Sequence, residues 1–160
     1  MTAHQLGLQF CSIATRYRLS LVREDDAPYG GEELPPPASS PEKTARYLCR
    51  LLADEPAECM GVVLLDTKRH PIGHLVLFRG TLNRCAVEPR PILQAALLTN
   101  ASAVVLFHNH PSGDPTPSAE DILFTRRLTE AVTVVGVDLV DHVIVTADGK
   151  WTSLRERGAW

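Results

Sequence analysis

The hydrophobic pattern along this chain falls into short apolar runs alternating with helical periodicities. Residues 17–23 (Tyr17-Arg18-Leu19-Ser20-Leu21-Val22-Arg23) alternate apolar and polar and predict a strand after a loosely held start at 1–12. From 24 to 41 the chain turns acidic and then rich in Gly and Pro, a composition that buries no core and predicts a flexible connector. Ser40-Pro41-Glu42 opens a helix, with Ser as N-cap and Pro at the first helical position, and Ala45, Leu48, Leu51 and Leu52 recur at helical spacing. Pro56 ends that helix. Residues 59–65 and 72–78 then predict two strands joined as a hairpin through a turn at 66–71. Residues 89–99 predict a helix with Ile92, Leu93, Ala96 and Leu97 facing inward. The branched run Ala103-Val104-Val105-Leu106-Phe107 predicts a buried strand. Pro111, Gly113, Pro115 and Pro117 forbid regular structure, so 109–117 reads as a loop. A helix follows from Ser118, with Ile122, Leu123, Leu128, Ala131, Val132 and Val135 at helical spacing and Gly136 at its end. Strands at 137–140 and 142–146, a turn at Asp148-Gly149 and an edge strand at 151–154 complete a mixed α/β chain with helices against one sheet.

Candidate chemistry gathers where the buried strand gives way to the loop. Alternate strand residues point to one face, about 6.6 Å apart at roughly 3.3 Å per residue. His108 and His110 could therefore lean toward one metal ion, with Asp121, at the start of the next helix, as a third ligand. Three nitrogen and oxygen ligands with a fourth position left to water is the pattern of a catalytic zinc, whereas structural sites are closed by four. Each part has a plainer reading: a pair of hydrogen-bonded histidines at a strand end, and a Ser N-cap with acidic residues facing the helix dipole. His142, within an apolar strand and preceded by Asp141, reads as a structural histidine rather than a fourth ligand. His4, His70 and His74 have no partner at metal-ligand spacing.

The full run His108-Asn109-His110-Pro111-Ser112-Gly113-Asp114-Pro115-Thr116-Pro117-Ser118-Ala119-Glu120-Asp121 resembles the JAMM motif of the MPN metallopeptidase family, and more closely the signature of RadC-like proteins. The resemblance runs over about residues 41–158. It takes in Ala57-Glu58, Val62-Val63-Leu64-Leu65-Asp66, Phe78-Arg79-Gly80-Thr81-Leu82, Pro89-Arg90, Asn100-Ala101-Ser102-Ala103, Asp141-His142-Val143-Ile144-Val145 and Ser153-Leu154-Arg155-Glu156-Arg157-Gly158. One departure is Pro91, where the family usually carries Glu; Pro is tolerated at an early helix position, but the carboxylate is lost. Longer RadC-like proteins also carry a helix-hairpin-helix region, and nothing resembling one is found in this sequence. The resemblance implies the MPN (JAB/MPN, cytidine-deaminase-like) α/β fold, a mixed sheet flanked by helices in one domain over 41–160, preceded by the strand and Pro/Gly-rich segment of 1–40. It implies zinc held by His108, His110 and Asp121. It assigns the proton-handling base to Glu58, which spacing alone does not implicate, and an oxyanion hydrogen bond to Ser118, whose other reading is the helix N-cap.

Composition changes this picture little. With 160 residues, 44% hydrophobic and 22% charged, the chain can bury a core of ordinary size. Net charge −3 argues against a dedicated nucleic-acid binder, and Lys68, Arg69, Arg79, Arg84 and Arg90 read as a solvated basic face. Cys11, Cys49, Cys59 and Cys85 show no Cys-x-x-Cys pairing and read as reduced thiols. With no secretory signal and no membrane-length apolar run, a cytoplasmic location is expected. The leading expectation is a zinc-dependent JAMM-type hydrolase, a metallopeptidase or isopeptidase acting on an amide bond of a peptide or protein substrate. A DNA repair or recombination accessory protein with weak or indirect DNA association is the second reading. A non-catalytic MPN interaction module is the third, and the intact ligand set argues against it.

Overall fold

A computed structural model describes residues 40–80 and 88–160. The expected strand at 17–23, most of the Pro/Gly-rich segment, and His4, Cys11, Thr81, Leu82, Arg84 and Cys85 lie outside the described residues.

Helix α1 (Pro41–Leu51) starts as its residues dictate: the Ser40 hydroxyl accepts the Lys43 N–H at 3.4 Å, and Pro41 sits in the first turn. Strands β1 (Cys59–Leu65) and β2 (Pro71–Arg79) form the expected antiparallel hairpin. Helix α2 (Pro89–Leu98), β3 (Ala103–Asn109), α3 (Ala119–Val134), β4 (Asp138–Val145) and β5 (Trp151–Ser153) follow. The five strands form one mixed sheet in the order β2-β1-β3-β4-β5. β3 and β4 run parallel, linked by the α3 crossover, and the other neighbours are antiparallel. This is the α/β architecture expected, with three helices among the described residues.

Helices cover both faces. On one, α1 packs Ala45, Tyr47 and Leu48 against Val63, Leu65, Val105, Phe107, Val143 and Val145. On the other, α2 and α3 bring Ile92, Ala96, Phe124, Leu128 and Val132 onto Val62, Leu64, Val104 and Leu106. β1 and β3 are buried at every position, as central strands covered on both sides must be.

Three details differ from expectation. The β3 strand runs through Asn109, so the loop starts one residue later; pairing with β4 extends to Asn109–Val145, and the His110 N–H still donates to the Val145 carbonyl at 2.9 Å. Leu97 is 53% exposed, because the inward face of α2 is set by Ile92, Ala95 and Ala96 and Leu97 falls off that stripe. On α3 the buried stripe is Asp121, Phe124, Thr125, Leu128 and Val132, while Leu123 is 61% exposed. Among the described residues no helix is long and apolar enough to cross a membrane.

Candidate metal centre

The alternation of β3 turns Leu106 and His108 toward α3 and Phe107 and Asn109 toward the α1 face. His108 is fully buried; its neighbours across the sheet are Met60 on β1 and Ile144 on β4. His110 follows just past the strand end. Its Nδ1 lies 2.7 Å from the Asp114 carbonyl oxygen, in a loop turned by Gly113 at φ 81°. A carbonyl only accepts, so His110 carries a proton on Nδ1 and turns Nε2 inward. The Nε2 atoms of His108 and His110 face each other at 2.8 Å.

Asp121 reaches the same point from the first turn of α3. Its carboxylate lies 3.4 Å from His108 Nε2 and 3.7 Å from His110 Nε2. A capping box holds it there. The Asp121 N–H donates to Ser118 Oγ at 3.1 Å, while the Ser118 N–H and hydroxyl both donate to Asp121 Oδ2 at 2.7 Å. Glu58, immediately before β1, approaches the same histidines from another side: Glu58, His108 and His110 each place one ligand atom within 4.8 Å of the others. All five residues singled out from the sequence thus lie together.

The two carboxylates sit in different electrostatic settings. Burial lifts the Glu58 carboxyl above the ordinary glutamate range, opposed by nearby His110 and reinforced by Asp121. Burial also pushes Asp121 upward, but the adjoining His110, the charge of His108 and the Ser118 donors outweigh it and hold Asp121 well below the usual range. The Asp121 carboxylate beside it lifts the His110 imidazole, whereas burial pushes His108 down to about 4.

The donor set fits a metal ion. Two imidazole nitrogens meet with the Glu58 carboxylate on one side and the Asp121 carboxylate on the other. Such a cluster of acceptors calls for a cation, either a proton or a metal. Ligands about 2.0–2.1 Å from a tetrahedral zinc lie about 3.3 Å from one another, close to the 2.8, 3.4 and 3.7 Å separations here. Nitrogen and oxygen donors without cysteine match catalytic zinc rather than a structural finger.

Two further residues at the site escaped the sequence reading. Asn109, buried on the opposite face of β3, accepts the Cys59 N–H at 2.7 Å and donates to the Ala57 carbonyl at 3.1 Å, clamping the peptide groups on either side of Glu58. Thr125, one turn after Asp121, lies 2.7 Å from His142. The i, i+4 spacing of Asp121 and Thr125 was a readable sign that both face the sheet. No spacing signals the Asn109 clamp, because it depends on which strand lies beside β3. His142 is fully buried among these groups, as a structural histidine would be. His74 pairs with the Tyr47 hydroxyl at 2.9 Å and His70 with Asp66, both away from this centre.

Residues 38–159 match the RadC-like JAB domain family. The chain belongs to that family. This RadC-like JAB domain is 48% identical over 130 residues to a UPF0758 protein of Halorhodospira halophila, covering 80% of this chain and 58% of the relative. It is 45% identical over 127 residues to a UPF0758 protein of Thermotoga maritima, covering 79% and 56%. A third UPF0758 protein, from Clostridium beijerinckii, is 42% identical over 120 residues, covering 75% and 52%. The chain therefore spans just over half the length of these relatives.

Proposed function

We propose that this RadC-like JAB domain is a zinc-dependent hydrolase of the JAMM type that cleaves an amide bond, as a peptidase or isopeptidase. The observation that carries the reading is the convergence of His108 Nε2, His110 Nε2 and the Asp121 carboxylate, with Glu58 beside them. His108, His110 and Asp121 would hold the ion. When bound, zinc supplies Lewis acidity and lowers the pKa of a coordinated water toward about 7.

The opposed settings of the carboxylates sort their roles. A carboxylate held well below its usual range stays ionised and suits a ligand; one lifted toward neutrality suits a proton carrier. Glu58 takes the proton of the attacking water on its carboxylate and delivers it to the amine nitrogen as the C–N bond breaks. Asn109 fixes the backbone that carries Glu58. Ser118 directs its hydroxyl to Asp121 Oδ2, so its role in this reading is to hold the ligand carboxylate. Donation to an oxyanion would require that hydroxyl to turn away from Asp121.

The test is Glu58→Gln, assayed on a panel of peptide and isopeptide substrates with and without chelator. Wild type should cleave a member of the panel and lose cleavage with chelator. Glu58→Gln should keep its zinc and lose about 10²–10⁴-fold in turnover, the scale of general acid–base catalysis. Undiminished turnover in Glu58→Gln would contradict the assignment of the base.

A further inference from the structure

A line of buried hydrogen bonds runs from the metal centre into the core. His108 Nδ1 lies 2.7 Å from His142 Nε2, and His142 Nδ1 lies 2.7 Å from Thr125 Oγ1. Thr125 Oγ1 donates to the Asp121 carbonyl oxygen at 2.6 Å. His108, His142 and Thr125 are fully buried, so no solvent competes for these positions.

The direction of the line is fixed at its far end. A carbonyl oxygen has no proton, so Thr125 must donate its single hydroxyl proton to Asp121 at that separation. Thr125 Oγ1 can then only accept from His142, which places the His142 proton on Nδ1. His142 Nε2 is thereby left as an acceptor, and the short contact to His108 requires the proton to sit on His108 Nδ1. The remaining nitrogen, His108 Nε2, is unprotonated and points at His110 and Asp121. We propose that Thr125 and His142 are positioning residues that fix the tautomer of His108, so that its Nε2 offers a lone pair to the metal. This rests on the zinc reading above and extends it to two side chains that touch neither metal nor substrate. Ligating histidines commonly take such a partner at the second nitrogen, and losing the partner typically weakens metal binding 10–100-fold. Here the partner is a second imidazole, oriented in turn by a threonine on the same helix as Asp121.

The experiment uses the full chain and two readouts. In zinc-free wild type, imidazole nitrogen NMR should find His142 protonated at Nδ1 and bare at Nε2, with His108 the same. Zinc affinity, measured by competition with a chromogenic chelator, is then compared for wild type, Thr125→Val and Thr125→Ser. Valine keeps the shape and deletes the hydroxyl, freeing His142 to protonate Nε2 and drive the His108 proton onto the ligating nitrogen. Thr125→Val should bind zinc about 10–100-fold more weakly, and Thr125→Ser should restore near-wild-type affinity. Wild-type His142 protonated at Nε2 would overturn the proposal whatever the stability of the variants. Equal zinc affinity in wild type and Thr125→Val would overturn it while leaving the zinc site standing. A wild type that binds no zinc would instead overturn the metal reading itself, and this proposal with it.

Discussion

The Ser118 hydroxyl accepts the Asp121 N–H at 3.1 Å and donates to the Asp121 carboxylate at 2.7 Å, so one side chain both starts α3 and steadies a candidate ligand. Ser118→Ala removes both bonds but leaves the Ser118 N–H on the same carboxylate oxygen. Loss of an N-cap of this kind costs about 0.5–2 kcal/mol, and urea denaturation of the zinc-free protein should show it. An unchanged midpoint would mean the capping box contributes nothing here. The cap itself was legible, because Ser-x-x-Asp before a helical pattern is a local signal. The second use of the hydroxyl was not, since it depends on the Asp121 carboxylate folding back toward the helix start while still facing two histidines from another strand. The same holds for Glu58. Its raised pKa comes from burial and from Asp121, which is distant in sequence.

At the scale of elements, the strands were legible because β1 and the Ala103–Phe107 part of β3 are continuous apolar runs, and α1 because Ser40-Pro41 marks its start. Boundaries and helix faces were less so. Pro111 announces the loop, but partner strand β4 extends pairing to Asn109, which a single strand's sequence cannot display. The inward stripe of α3 includes polar Asp121 and Thr125, which a hydrophobic periodicity overlooks. Gly61, in the middle of β1, shows how tightly these strands are set. A Cβ there would lie 2.1 Å from the Leu75 carbonyl oxygen and 2.5 Å from Phe107 Cζ. Neither a backbone carbonyl on β2 nor a ring buried under α1 can swing aside, so one neighbouring strand must move. Gly61→Ala should destabilise the protein by about 1–3 kcal/mol or more in chemical denaturation, as overpacking does. A variant as stable as wild type would contradict this packing. Because Phe107 adjoins His108, any shift of β3 would also disturb the histidines.

At the scale of the whole molecule, the centre draws, among the described residues, on four segments: the lead into β1, the end of β3, the first turns of α3, and β4. His108, His110 and Asp121 are close in sequence, which is why spacing made them candidates and the family motif could single them out. Glu58 and His142 arrive only because β1 and β4 lie on either side of β3, an order that no local pattern encodes. The family resemblance supplied Glu58 from the sequence; the use of His142 emerges from the hydrogen bonds that join it to His108 and Thr125. The chain spans just over half the length of the relatives it matches. The proposed hydrolysis depends first on a metal at that centre. Elemental analysis of wild type and His110→Ala, each purified, exposed to zinc and dialysed, addresses it directly. The account predicts one zinc per wild-type chain and little zinc in His110→Ala. A zinc-free wild type, or equal zinc in the two proteins, would contradict it.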